Sequence, residues 1–112
     1  MIIEYQEGCY SGEVNDKGEP HGEGTFFYTD GYYYYGSWQN GYEHGFGVMV
    51  WADDEYYEGF FEKGEPHGFG KMRYPSGLIE EGEWCEGFIV PETKKMSRVD
   101  GTEVKPSKKS KK

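Results

Sequence analysis

The chain has 112 residues, a formal net charge of -9, 35% hydrophobic and 19% aromatic residues, and 18 glycines. Glycine is far above its average share of roughly 7%, and aliphatic residues are too few for an ordinary Leu/Ile/Val core. Disordered chains are poor in aromatics, so 11 Tyr, 7 Phe and 3 Trp beside so much glycine argue for packed β-structure with many turns.

Residues 1–7 are expected to form an N-terminal edge segment. Met1-Ile2-Ile3-Glu4 lacks the basic region and long apolar run of a secretory leader, and Ile2 leaves no glycine for myristoylation. The longest stretch without polar residues near the middle, Val48–Ala52, is too short to span a bilayer. A cytoplasmic protein is the expected setting.

From residue 8 to 90 a period emerges. His21-Gly22-Glu23-Gly24, His44-Gly45-Phe46-Gly47 and His67-Gly68-Phe69-Gly70 start 23 residues apart. Gly18, Gly41, Gly64 and Gly87 keep that step, and so do Asp30-Gly31, Asp53-Asp54 and Ser76-Gly77. Gly12, Gly36, Gly59 and Gly82 follow at 24, 23 and 23. The extra residue falls in Asn15-Asp16-Lys17-Gly18, where a loop absorbs it; in a strand it would flip every side chain to the other face. A period of this length means a repeat architecture.

Each unit reads as strand, turn, strand, turn. Tyr33–Trp38 and Phe46–Trp51 are β-rich runs with Asn40-Gly41 beginning the link between them. Such pairs supply the positive φ of tight hairpin turns. Glycine every few residues opposes helix. The fold class expected is therefore all-β: an elongated antiparallel hairpin array with no substantial helix.

Period-2 alternation sorts the side chains. One face of the first strands carries Tyr10, Gly12, Val14; Tyr34, Gly36, Trp38; Tyr57, Gly59, Phe61; and Glu80, Gly82, Trp84. The matching set on the second strands is Gly24, Phe26, Tyr28; Gly47, Met49, Trp51; and Gly70, Met72, Tyr74. Rings are expected to lie over bare glycine backbone in columns across the sheet.

Tyr57-Glu58-Gly59-Phe60-Phe61-Glu62-Lys63-Gly64-Glu65-Pro66-His67-Gly68-Phe69-Gly70 resembles the MORN (membrane occupation and recognition nexus) repeat, Tyr-x-Gly-x-aromatic-x-x-Gly-x-x-His-Gly-x-Gly. The resemblance covers about Gly8 to Phe88, as three near-full units and a half-unit. The pattern is broken at Asp54, where glycine is usual, and at Glu80, where tyrosine is usual. The resemblance implies a hairpin solenoid and a scaffolding role, commonly in cytoskeletal, ciliary or membrane-associated assemblies. The catalytic domains that accompany such repeats in some relatives have no counterpart in these 112 residues.

The ring-bearing face must be either buried within a curved sheet or offered to a partner, because large exposed apolar patches mark interaction sites. The residues expected to meet a partner protein are Tyr34, Trp38, Tyr57, Phe61 and Trp84 on first strands and Met49, Trp51, Met72 and Tyr74 on second strands. Before residue 91 there are eighteen Asp/Glu and four Lys/Arg, a net -14. That acidic body favours a basic helix or peptide as partner and opposes nucleic acid. The apolar ends, Ile2–Tyr5 and Phe88–Val90, are poor caps, so end-to-end self-association is also expected.

Chemistry is not expected. His21, His44 and His67 recur about 10 Å apart, one hairpin per step, too far to share a zinc ion, and read as structural turn-to-strand residues. Neither a nucleophile–His–Asp constellation nor a phosphate-binding loop is evident. The Gly-x-Gly pairs open strands, whereas a dinucleotide fingerprint opens a helix. No catalytic residue, metal or cofactor is assigned. Cys9 and Cys85 lie about three hairpins apart, roughly 30 Å, beyond disulfide reach.

From Pro91 onward there are eight Lys/Arg against three Asp/Glu, a net +5. Residues 91–112 are expected to be a disordered basic tail. Lys105, Lys108, Lys109, Lys111 and Lys112 could contact a polyanion, tubulin or the acidic body. The alternative function is a membrane-associated adaptor that touches anionic phospholipid through these lysines.

Overall fold

A computed structural model describes residues 1–52, 55–98 and 103–104. The described strands are β1 (Ile2–Glu4), β2 (Gly8–Val14), β3 (Pro20–Tyr28), β4 (Tyr33–Gln39), β5 (Tyr42–Ala52), β6 (Glu55–Glu62), β7 (Glu65–Arg73), β8 (Leu78–Cys85), β9 (Phe88–Ile89), β10 (Lys95–Arg98) and β11 (Glu103–Val104). They form one antiparallel sheet in chain order, except that β9 and β10 both pair with β8. The molecule measures 52 × 25 × 23 Å. This is the elongated hairpin array that the 23-residue period predicts. The expected Asp53-Asp54 turn lies outside the described residues.

The hairpin turns follow from their residue pairs. Asn40-Gly41, Lys63-Gly64 and Glu86-Gly87 each put two successive residues at positive φ: 49° and 90°, 51° and 87°, 49° and 93°. Two positive values define a type I′ turn, whose twist matches that of the flanking strands. Each turn is bonded to the preceding unit: Gly41, Gly64 and Gly87 donate their N–H groups to the carbonyls of Pro20, Glu43 and Pro66. The first turn, Asn15–Glu19, is longer and organised differently, with the Asn15 Oδ1 accepting from the Lys17 and Glu19 N–H groups. A loop does absorb the extra residue.

Glycine faces glycine across the strands: Gly12 opposite Gly24, Gly36 opposite Gly47, Gly59 opposite both Gly47 and Gly70, and Gly82 opposite Gly70. The space above them is filled by tyrosine. A Cβ on Gly24, Gly47 or Gly70 would fall inside the rings of Tyr10, Tyr34 and Tyr57 respectively. The phenols donate to the carbonyls of Glu13, Ser37 and Phe60.

The C-terminal end differs from expectation. A single 3-10 turn, Pro91–Thr93, returns the chain to β8 through β10. The Thr93 hydroxyl accepts from the Glu83 N–H, and Val90 donates to the Glu83 carbonyl. Residues 91–98 therefore cap the last unit rather than beginning a disordered tail, because β8 has free ladder groups that this segment satisfies. Phe88, in the segment expected to leave an open edge, remains exposed. Glu80, which stands where tyrosine is usual, is held by the Tyr74 hydroxyl and lies 3.6 Å from the Lys94 ammonium. Among the described residues no helix is long and apolar enough to cross a membrane.

Candidate functional site

The glycine-bearing face is filled from within the chain. Tyr34, Trp38, Met49, Tyr57, Phe61 and Trp84, six of the nine residues expected to meet a partner, are buried. They belong to one cluster with Tyr10 and Phe26. Their rings alternate edge to face in a zigzag: Tyr10 to Trp38 at 5.4 Å, Trp38 to Tyr34 at 5.1 Å, Tyr34 to Phe61 at 4.9 Å, Phe61 to Tyr57 at 5.1 Å, and Tyr57 to Trp84 at 5.3 Å. Such pairs contribute about 0.5–1.5 kcal/mol each beyond their area. Trp38 and Trp84 also donate their indole N–H groups to the carbonyls of Gly24 and Gly70. Of the two fates open to this face, burial within the sheet is the one taken. It is core, and not an open docking surface at those six positions. Trp51, Met72 and Tyr74 are only half-buried at its margin.

The opposite face carries the exposed rings. Phe46, Phe60 and Phe69 on β5, β6 and β7 keep 49%, 46% and 51% of their surface exposed. Phe46 and Phe60 are paired across the strands, with ring centroids 5.6 Å apart. Phe27 and Tyr35 extend the apolar surface over β3 and β4. Glu58, Lys71, Glu81 and Lys95 lie opposite one another in register on successive strands of this face, alternating in sign. The signal was present in the sequence as the other period-2 set of each strand.

At the junction of the first two units the inner face opens into a cleft of about 340 Å³. Tyr5, Phe26, Tyr28 and Trp38 form its apolar wall, and Glu7, Glu19 and Glu43 line it with carboxylates. Glu43 is only 7% exposed, and its carboxylate accepts a hydrogen bond from the Tyr28 hydroxyl. Burial pushes the Glu43 carboxyl up from its ordinary value, and the Tyr28 hydrogen bond partly offsets this. Desolvation, followed by the bond to Glu43, pushes the Tyr28 phenol up. Neither residue was singled out as a site from the sequence, where Glu43 is one acid among many.

Two of the three histidines bond to the turn of the following unit. The Nδ1 atoms of His21 and His67 accept from the backbone N–H groups of Asn40 and Glu86, one unit further on. Cys9 is half-buried on β2 and Cys85 is exposed on β8, both as free thiols. Lys105, Lys108, Lys109, Lys111 and Lys112 lie outside the described residues.

A family model for the MORN repeat matches the chain three times, over residues 10–31, 34–56 and 57–79. Together these matches span more than half of the sequence. A comparison with curated proteins finds no match.

Proposed function

Because the chain belongs to the MORN repeat family, we propose that it works as a non-catalytic scaffold that holds partner proteins. MORN repeats are in general non-catalytic scaffold modules that bind proteins or membranes. The observation that carries the protein-binding reading is the row Phe46, Phe60 and Phe69, half exposed on three adjacent strands. These rings lie side by side on one face of the sheet, with Phe46 directly opposite Phe60, and a contiguous exposed apolar patch marks an interaction surface. The acidic body favours a partner with basic character. The proposed setting is cytoplasmic, within a cytoskeletal or ciliary assembly.

The test is affinity purification followed by mass spectrometry, with the full-length chain and a Phe46→Ser/Phe60→Ser/Phe69→Ser variant as baits. Loss of the partners recovered by the wild type, with circular dichroism and Tm unchanged, is the expected result. Full recovery by the variant would remove this surface from the proposal.

A second reading rests on the charge asymmetry, +5 after residue 90 against -14 before it. In it the terminal lysines touch anionic lipid, at about 1 kcal/mol for each lysine near the surface. Sedimentation with phosphatidylserine vesicles at two salt concentrations distinguishes it. Binding that persists when Lys105, Lys108, Lys109, Lys111 and Lys112 are changed to glutamine would reject the tail as the anchor.

A further inference from the structure

We propose that the cleft between the first and second units is a receptor for one basic side chain, a lysine or arginine presented by a partner protein. The inference rests on the scaffold reading only for the partner that brings the cation; the cleft itself lies on the inner face, away from Phe46, Phe60 and Phe69.

The argument begins with one residue out of step. Register places Val14 opposite Pro20, Trp38 opposite Glu43, Phe61 opposite Pro66 and Trp84 opposite Ile89. One inner-face position therefore recurs every 23 residues as Pro20, Glu43, Pro66 and Ile89. Three units place an apolar residue there and the second places a carboxylate. That carboxylate is more than nine-tenths buried. Packing does not demand it, since proline and isoleucine serve the other units. Burying a carboxylate is costly unless it is paired, and the neutral Tyr28 hydroxyl compensates it only in part.

The surroundings suit a cation. Four aromatic rings and three carboxylates line the cleft, and among its lining residues there is no lysine or arginine. Aromatic faces attract ammonium and guanidinium groups. The apolar stem of a lysine or arginine can lie along rings while its charged head reaches a carboxylate. A ring-walled cleft that also presents carboxylates meets both requirements, whereas an anionic ligand would be repelled by the carboxylates and a purely apolar one would leave them unpaired.

The test uses the full-length chain and short Gly-Ser peptides carrying one central lysine, arginine or norleucine. The indole N–H resonances of Trp38, which lines the cleft, and of Trp84, at the far end of the ring zigzag, report binding by NMR. Lysine and arginine peptides are expected to move Trp38 saturably and to leave Trp84 in place, while the norleucine peptide moves neither. Glu43→Gln is expected to weaken binding about tenfold or more, the loss of one charge-assisted hydrogen bond. Glu83→Gln removes the same charge at the other end of the sheet and is expected to leave affinity unchanged. Should Glu43→Gln disturb the Trp84 resonance, the rim pair Glu7→Gln/Glu19→Gln is read instead, with weaker binding expected.

Equal binding of the norleucine peptide would overturn the proposal, and so would equal weakening by Glu43→Gln and Glu83→Gln. A Trp38 resonance that moves without peptide when the five terminal lysines are changed to glutamine would also overturn it, by making this chain's own tail the occupant. The Phe46→Ser/Phe60→Ser/Phe69→Ser variant keeps the cleft. If it retains every partner while the wild type binds lysine peptide, the outer surface fails and the cleft stands.

Discussion

The Tyr28 hydroxyl donates to the Glu43 carboxylate across the boundary between the first and second units. No other pair of units can make this bond. The equivalent positions one step on are Trp51 with Pro66, and then Tyr74 with Ile89. A regular repeat is thus interrupted at one place by a buried polar pair, and the first prediction concerns its two members.

Tyr28→Phe removes the donor and leaves a buried acceptor unsatisfied. It is expected to destabilise the fold by about 1–3 kcal/mol, measured by urea unfolding at neutral pH. A loss within error of zero would mean that water replaces the hydroxyl.

Glu43 also sets a pH dependence. Burial raises its carboxyl above the ordinary 4.5, so between that value and its folded value the native state holds more proton than the unfolded one. The contribution of this group to stability is therefore fully present below pH 4.5 and falls as pH rises through the folded value. Glu43→Gln removes this dependence and keeps an acceptor for Tyr28. The variant is expected to gain on the wild type as pH rises from about 4.5 towards neutrality, read as the difference in Tm across a pH series. A difference that stays constant would show that Glu43 titrates alike folded and unfolded.

Gly47 tests the contact of ring on backbone. Its φ lies outside the left-handed region, so an added methyl is opposed by space alone, and that space is occupied by the Tyr34 ring. Gly47→Ala is expected to cost about 3 kcal/mol, the upper end for overpacking a close-packed site. Gly87, a turn glycine with nothing near its missing Cβ, provides the contrast. Gly87→Ala is opposed only by its φ of 93° and should cost about 1–2 kcal/mol. Equal losses in thermal melts would contradict the ring contact.

Lys63 occupies the turn position that Asn40 fills one unit earlier, at φ 51° against 49°. Asparagine accepts the left-handed region more readily than lysine does. Lys63→Asn is expected to stabilise the protein by up to about 1 kcal/mol, part of the roughly 1–2 kcal/mol that the left-handed conformation costs an ordinary residue. Unchanged urea midpoints would mean that the lysine stem recovers the difference by packing.

Phe61 stands where Trp38 and Trp84 stand in the units on either side. Those indoles donate to Gly24 and Gly70, and an indole at position 61 would face the carbonyl of Gly47. Phe61→Trp is expected to raise stability by about 1 kcal/mol, the net value of one hydrogen bond, with a new indole N–H slow to exchange. Destabilisation would show that the middle unit lacks room for the second ring.

The period, the hairpins, the turn pairs and the glycine columns were all legible in the sequence, because each is local. Turn geometry is written in Asn-Gly and its equivalents, and a strand's two faces are written in alternate residues. The ring columns over Gly24, Gly47 and Gly70 follow from that alternation alone. The outer row of Phe46, Phe60 and Phe69 obeys the same rule, but alternation separates the faces without saying which is filled.

Sequence by itself determined that this chain is a stack of hairpins with rings laid over bare backbone, since steric periodicity needs no knowledge of distant residues. Only the tertiary structure decided which face closed, that Lys95–Arg98 return to pair with β8, and that one acid in many meets a tyrosine fifteen residues away. Those outcomes depend on register and packing between strands, with Trp38 opposite Glu43 and Lys95 opposite Glu81. Register across a sheet is a collective property of the assembled strands, and no single segment carries it.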